Sequence, residues 1–490
     1  MKKTNLFLLA AALLCAVSVK SAALTLASPF SDNAVIQRDI EAPIWGQAEA
    51  GAEVEISVEK DGATVRRASA VADENGKWLA KLSPMKAGGP YTVNIKTPGE
   101  QIAIANILFG DIWICSGQSN MEMSYRWGLT RGKEDIETTR NSNIRLLNVP
   151  NKTSVTPLTA FDAKWEKLAP DSGKNFSAVG YFFGAAIAKE LEGVPVGLID
   201  ITWSGTFIHT WMSLDAIEKT GAWKAAEKAA KHREEVAKFL AGEQNDAFLK
   251  PSPHVLSACY NGMFAPVFPL AIKGAIWYQG CNNVGDEKSY FLYFKELAAD
   301  WRSNFSGGDF PIYLVQLAAF QQTNENPIDS AWARMRWTMT RLGEEIKNCG
   351  TAVAIDVGHP TDIHPKDKKT VGERLARLAL HRTYGRADIV EAGPIPLTAS
   401  KTEDGGVRIT FKNAAGLKTT DNAPVAGFQV VGADGKTRWA DARIKDDAVI
   451  VSLPDDIPAA EIRHAWDDFP VCNLYNAADL PAGPFQMKVE

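Results

Sequence analysis

The chain has 490 residues, 46% of them hydrophobic and 23% charged, with a formal net charge of -5 and a pI near 5.9. That length suits about three domains of roughly 150 residues. The balance is that of a globular protein, and the missing basic excess argues against a nucleic-acid partner.

Met1-Lys2-Lys3 precedes an apolar run from about Leu6 to Val17 and small residues at Ser21-Ala22-Ala23. This reads as a secretory signal peptide over residues 1–23, too short for a membrane span of ~20 apolar residues. The expected location is secreted or periplasmic, without stable membrane insertion once the signal is removed. Cys15 follows Leu14, where a lipoprotein signal would carry a small residue. The remaining Cys115, Cys259, Cys281, Cys349 and Cys472 are odd in number and sparse, so they form no disulfide framework and no metal-ligand spacing.

Residues 24–105 carry a β pattern. Val54–Val58 alternates, Asp61-Gly62 and Asn75-Gly76 mark tight turns, and Trp78–Leu82 and Tyr91–Ile95 follow. Such spacing predicts a small β-sandwich. Residues 106–392 alternate strands and helices. Strands are expected at 107–116, 196–201, 271–278, 311–317 and 351–357, and helices at 177–191, 220–245 and 366–380. Apolar strands separated by helices predict a parallel sheet covered on both faces. Residues 393–490 return to β texture, with Val407–Phe411 and Ala448–Leu453 as strands.

Four segments follow predicted strands: Gly117-Gln118-Ser119-Asn120, Thr202-Trp203-Ser204-Gly205-Thr206, Gln279-Gly280-Cys281-Asn282-Asn283 and Asp362-Ile363-His364-Pro365. In a parallel sheet they meet at the carboxyl edge, where ligands bind. Together they supply a hydroxyl, a glycine amide, carboxamides and an Asp with a His, an inventory that suits acyl transfer.

A Gly-x-Ser alone is more often a turn than a nucleophile; the conjunction carries the argument. Of seven histidines, His364 beside an acid is the best base. His209, His254 and His359 are possible neighbours, His232 in a Lys/Glu-rich helix reads as solvated, and His381 as a helix-end contact. Asn282 and Asn283 also suit a simple turn. Trp203, Trp211 and Trp277 read first as core and second as sugar platforms. Gln118, Gln279 and Trp203 are the candidate substrate contacts.

The blocks DIWICSGQSNM, TWSGTFIHTWMS, YNGMFAPVFPLAIKGAIWYQGCNN, DIHPKDK and HAWDDFPVCNLYN resemble the sialate O-acetylesterase family of SGNH hydrolases. The resemblance implies a flavodoxin-like SGNH α/β core flanked by N- and C-terminal β-sandwich-like domains. It implies Ser119 as nucleophile, His364 as base and Asp362 as its orienting acid. The amides of Ser119 and Gly205 and the side chain of Asn283 would form an oxyanion hole, with no metal or organic cofactor. The implied activity is removal of O-acetyl groups from sialic acids or related sugars. Its rivals are an acetylxylan or other polysaccharide esterase, an inactive glycan-binding protein and, more distantly, a hydrolase using Cys281.

Three departures stand out. Gly280-Cys281-Asn282-Asn283 replaces the family's Gly-Glu-Ser-Asn, removing a local acceptor and leaving two candidate carboxamides, of which Asn283 matches the family position. Ser204 replaces the first of two glycines. Asp362 lies two residues before His364, whereas SGNH hydrolases at large have Asp-x-x-His; the residue three before is Thr361.

Overall fold

The computed structural model describes residues 23–453 and 459–490. All of the expected signal peptide except its last residue lies outside them. No helix among the described residues is long and apolar enough to cross a membrane.

A single long strand, Gln101–Gly117, joins two kinds of sheet. Its first half pairs antiparallel with Gly88–Lys96, which pairs with Glu53–Lys60. Its second half runs parallel between Val196–Thr202 and Gly274–Tyr278. The change of partner falls at Asp111, which is buried. Its carboxylate accepts from the Arg38 guanidinium at 2.8 and 3.0 Å, from Gln37 at 3.1 Å and from the Tyr384 hydroxyl at 3.0 Å.

The N-terminal strands therefore share a continuous apolar core with the α/β sheet, and the strand runs through the position expected to separate them. Within that region Asp61-Gly62 takes positive φ at both residues (50° and 80°), the geometry of a tight hairpin turn between Glu53–Lys60 and Ala63–Val71.

The parallel strands lie in the order Asn141–Asn148, Val196–Thr202, Gln101–Gly117, Gly274–Tyr278, Ile312–Val315, Cys349–Ala352. From Val196–Thr202 onward this is the 2-1-3-4-5 order of doubly wound flavodoxin-like sheets, with Asn141–Asn148 added outside. Helices cover both faces. Trp113 meets Phe183, and a Cβ at Gly180 would stand 2.8 Å from Cys115 Sγ, so helix Ala178–Glu190 packs close on that face. Trp277 is in register with Ser116, on the opposite face, and meets Trp301 of helix Glu287–Asn304.

Two elements differ most from the sequence expectation. The strand expected over 351–357 spans Cys349–Ala352 and gives way to a 3-10 turn at Ile355–Val357. The helix expected over 220–245 is Ala225–Leu240, and its His232 is buried, edge-on to Phe248 at 5.5 Å. The short helix Asp246–Leu249 folds back over it, a contact that the local charge pattern does not announce.

The C-terminal region has its own core between two four-stranded antiparallel sheets, with Val407, Ile409 and Val449 facing Val430, Ile462 and Phe485. Arg336 fastens it to the α/β core. This fully buried side chain donates to the carbonyls of Leu317 (3.0 Å), Ala318 (3.3 Å), Asp467 (2.8 Å) and Asp468.

Candidate active site

The long strand ends at Gly117, whose φ of 139° excludes other residues. A Cβ there would lie 2.2 Å from the Tyr278 carbonyl oxygen. Gln118 is extended, and Ser119 opens the single-turn helix Ser119–Glu122. Ser119 is 7% exposed, and among the described residues its hydroxyl has no hydrogen-bond partner.

The second loop starts against that turn, with Trp203 N donating to Gly117 O at 3.2 Å. Gly205 has a φ of 70°. Ser204, one of the departures, donates its hydroxyl to the Glu122 carboxylate and so ties this loop to the Ser119 helix.

The third loop is wired through amides. Gln279 Nε2 donates to Thr206 O at 3.0 Å and to Asn283 Oδ1 at 2.8 Å, and Ile208 N donates to the same Oδ1 at 3.2 Å. Both bonds to Asn283 end on its oxygen, so among the described residues its Nδ2 remains available as a donor. Asn282 instead gives its Nδ2 to the Gly205 carbonyl. The two candidate carboxamides are thereby distinguished.

Gln118 and Gln279, expected to contact substrate, are buried; Gln118 Oε1 accepts from Gly280 N at 3.1 Å. Their carboxamides hold loops together. Trp211 and Trp277 belong to the core, and Trp203 is half-buried.

On the fourth loop Asp362 Oδ1 accepts the backbone N–H of His364 at 2.9 Å and stands 3.6 Å from the imidazole Nδ1, longer than a normal hydrogen bond. Lys366 Nζ is 3.5 Å from the other carboxylate oxygen. Burial raises the pKa of Asp362, but the His364 N–H and Lys366 bring it below the ordinary carboxylate value. Burial first, then the charge of Lys368, holds the pKa of His364 below the ordinary imidazole value, against an opposing pull from Asp362.

Ser119 and His364 share no direct hydrogen bond in this structure. Their loops are joined through Asn120, whose Nδ2 donates to Ile363 O at 3.0 Å and whose Oδ1 accepts from Lys368 Nζ at 2.6 Å. Catalytic hydrogen bonds are often long in free enzymes and tighten only around substrate.

Of the other histidines, His209 stacks on Phe207 at 5.4 Å and is held below its ordinary pKa by burial. His254 meets the edge of Phe207, and His359 is exposed beside Thr361. His381 contacts Ile389 O at 2.9 Å.

Sequence reasoning did not single out Asn120, Lys368 or Trp127. Trp127 is 42% exposed and stands edge-on to His364, with ring centroids 5.7 Å apart. Lys368 had one readable signal, since a lysine in the first turn of a helix runs against the macrodipole.

Residues 109–381 match the family described as carbohydrate esterase, sialic acid-specific acetylesterase. The chain is 29% identical to human sialate O-acetylesterase over 504 residues, covering 94% of this chain and 91% of that one. It is 28% identical to the mouse protein of the same name over 512 residues, covering 94% and 93%. Among solved structures, a carbohydrate acetylesterase from Xanthomonas citri is similar at a TM-score of 0.81 and 31% identity, covering 94% of this chain and 99% of that one.

Proposed function

The chain belongs to the sialic acid-specific acetylesterase family of carbohydrate esterases, and from that premise we propose that it removes O-acetyl groups from sialic acids or related sugars by a serine mechanism. As a member of the family it is a carboxylic ester hydrolase. Ser119 Oγ attacks the acetyl carbonyl while His364 takes the hydroxyl proton, with Asp362 orienting the imidazole. The developing oxyanion accepts from the Ser119 and Gly205 amides and from Asn283 Nδ2. The sugar alcohol leaves with the proton from His364, and water, activated by the same imidazole, hydrolyses the acetyl-enzyme.

The observation that carries the reading is the Asn120 bridge. The residue after the nucleophile holds the residue before the base, so the two loops are tied to each other. The free Nδ2 of Asn283, opposite an Oδ1 pinned by two donors, supports the oxyanion role. The exposed indole of Trp127 beside His364 is a platform for the sugar ring.

Acylation of Ser119 by a fluorophosphonate, read by peptide mass, tests the nucleophile; labelling elsewhere, or none, overturns it. The rival substrate is another acetylated carbohydrate such as xylan, a reading left open by the structural likeness to an enzyme named as a carbohydrate acetylesterase. Acetate release from 9-O-acetyl sialic acid and from acetylated xylan, compared at equal enzyme, decides between them.

A further inference from the structure

Lys368 opens helix Lys368–Leu378 and is fully buried. Its Nζ donates to Asn120 Oδ1 at 2.6 Å and stands 5.3 Å from the Tyr278 ring centroid. Among the described residues no carboxylate lies within 4.0 Å of it to form an ion pair. The titratable groups facing it are Cys281 and Tyr278 from the third loop and strand, and Lys366, Asp362 and Asp367 from its own segment. The Cys281 thiol is pushed up to about 11 by burial and is therefore neutral, and burial pushes Lys368 itself down to about 7.

A buried ammonium without a carboxylate is costly. The cost falls at a telling place. The group facing it there is the Cys281 thiol, which carries no charge to neutralise the lysine. Asn120 Nδ2 also lies 4.0 Å from Cys281 Sγ, which places that thiol at the same junction.

We propose that Lys368 is a positioning residue for acetyl transfer, resting on the serine mechanism above: its ammonium fixes the Asn120 amide that joins the His364 loop to the Ser119 turn, and its charge lies on the His364 side of the site. The first role follows from geometry. By donating to Oδ1, Lys368 fixes the orientation of the Asn120 amide and so aims its Nδ2 at Ile363 O. That charge then acts on His364 beside two others. Asp362 and Lys366 come from its own loop and Lys368 from the helix start, while Trp127 on the facing loop carries no charge.

The test is kcat/KM against pH on p-nitrophenyl acetate for wild type, Lys368→Met and Cys281→Glu, with Ser119→Ala as control. In Lys368→Met the acid limb moves to higher pH by at least about half a pH unit, because a cation near the imidazole is gone. The plateau kcat falls about tenfold or more, because the amide is free to turn. In Cys281→Glu the lysine is kept but neutralised, so the acid limb moves the same way while the plateau is retained.

A lysine that merely fills space would leave the limb where it is. An unmoved limb in Lys368→Met, or in Cys281→Glu should Lys368→Met fail to fold, overturns the proposal. Wild-type activity in Ser119→Ala would instead overturn the serine mechanism itself, so the two failures are distinguishable.

Discussion

The two sides of Ser119 are built from different materials. The oxyanion side is held mainly by neutral groups, Gln118, Gln279, Asn282, Asn283, Thr206 and backbone amides, with the Glu122 carboxylate entering through Ser204. The base side is held by charges, Asp362, Lys366 and the buried Lys368, with Asn120 as a neutral link between the loops. Neutral amides keep their donors in place at any pH, whereas charged groups change with it. The pH dependence of catalysis should therefore arise chiefly on the base side.

The largest test breaks both sides at once. Ser119→Ala removes the nucleophile and should lower kcat by on the order of 10⁴-fold or more, measured on p-nitrophenyl acetate. Next, Asn283→Ala removes one oxyanion donor and should cost roughly 10²–10³-fold in kcat. Its acid limb should coincide with that of wild type, and a displaced limb would break the contrast between the two sides.

The limb itself should lie below the ordinary imidazole value of about 6.5. Burial and Lys368 favour neutral His364, the form that accepts a proton, so kcat/KM rises with pH through that lowered pKa. Trp127→Ala should raise KM for acetylated sugars by roughly tenfold, the worth of one stacked ring at about 1–1.5 kcal/mol. It should leave p-nitrophenyl acetate turnover nearly as it was. Ser204→Gly, which restores the family residue and cuts the tie to Glu122, should change kcat by no more than about threefold, since it exchanges one hydrogen bond worth about 1 kcal/mol for a more mobile loop.

The smallest effect is on stability. Lys368 has a folded pKa of about 7, below the ~10.4 of the unfolded chain. The unfolded chain therefore holds more protons between those values, and wild-type stability rises with pH across that window. Lys368→Met should be more stable than wild type by on the order of 1 kcal/mol at pH 6, a gain that fades toward pH 10 in denaturant titrations. A buried charge kept at a cost to stability is what a functional requirement looks like.

Much of this was legible without coordinates because it is local. Gly117 before an apolar strand's end, the glycine turn at Asp61-Gly62 and the alternation of strands with helices each report a backbone geometry or a buried face within a few residues. The meeting of the four loops at one edge was expected from the carboxyl-edge rule for parallel sheets. The choice between Asn282 and Asn283, the burial of His232 and the buried state of Gln118 and Gln279 were not legible, because each depends on a partner from another element.

By itself, then, the sequence determined the chemistry available: a serine after a strand, a histidine beside an acid, carboxamides in a loop and the family these blocks resemble. Only the tertiary structure decided how they are connected. It fused the N-terminal strands to the α/β sheet through one 17-residue strand, and set Asn120 against Ile363 and Lys368, 243 and 248 residues away. The physical reason is that periodicity records whether a residue is buried, while what it is buried against is fixed by strand order and register, which bring distant loops to one edge.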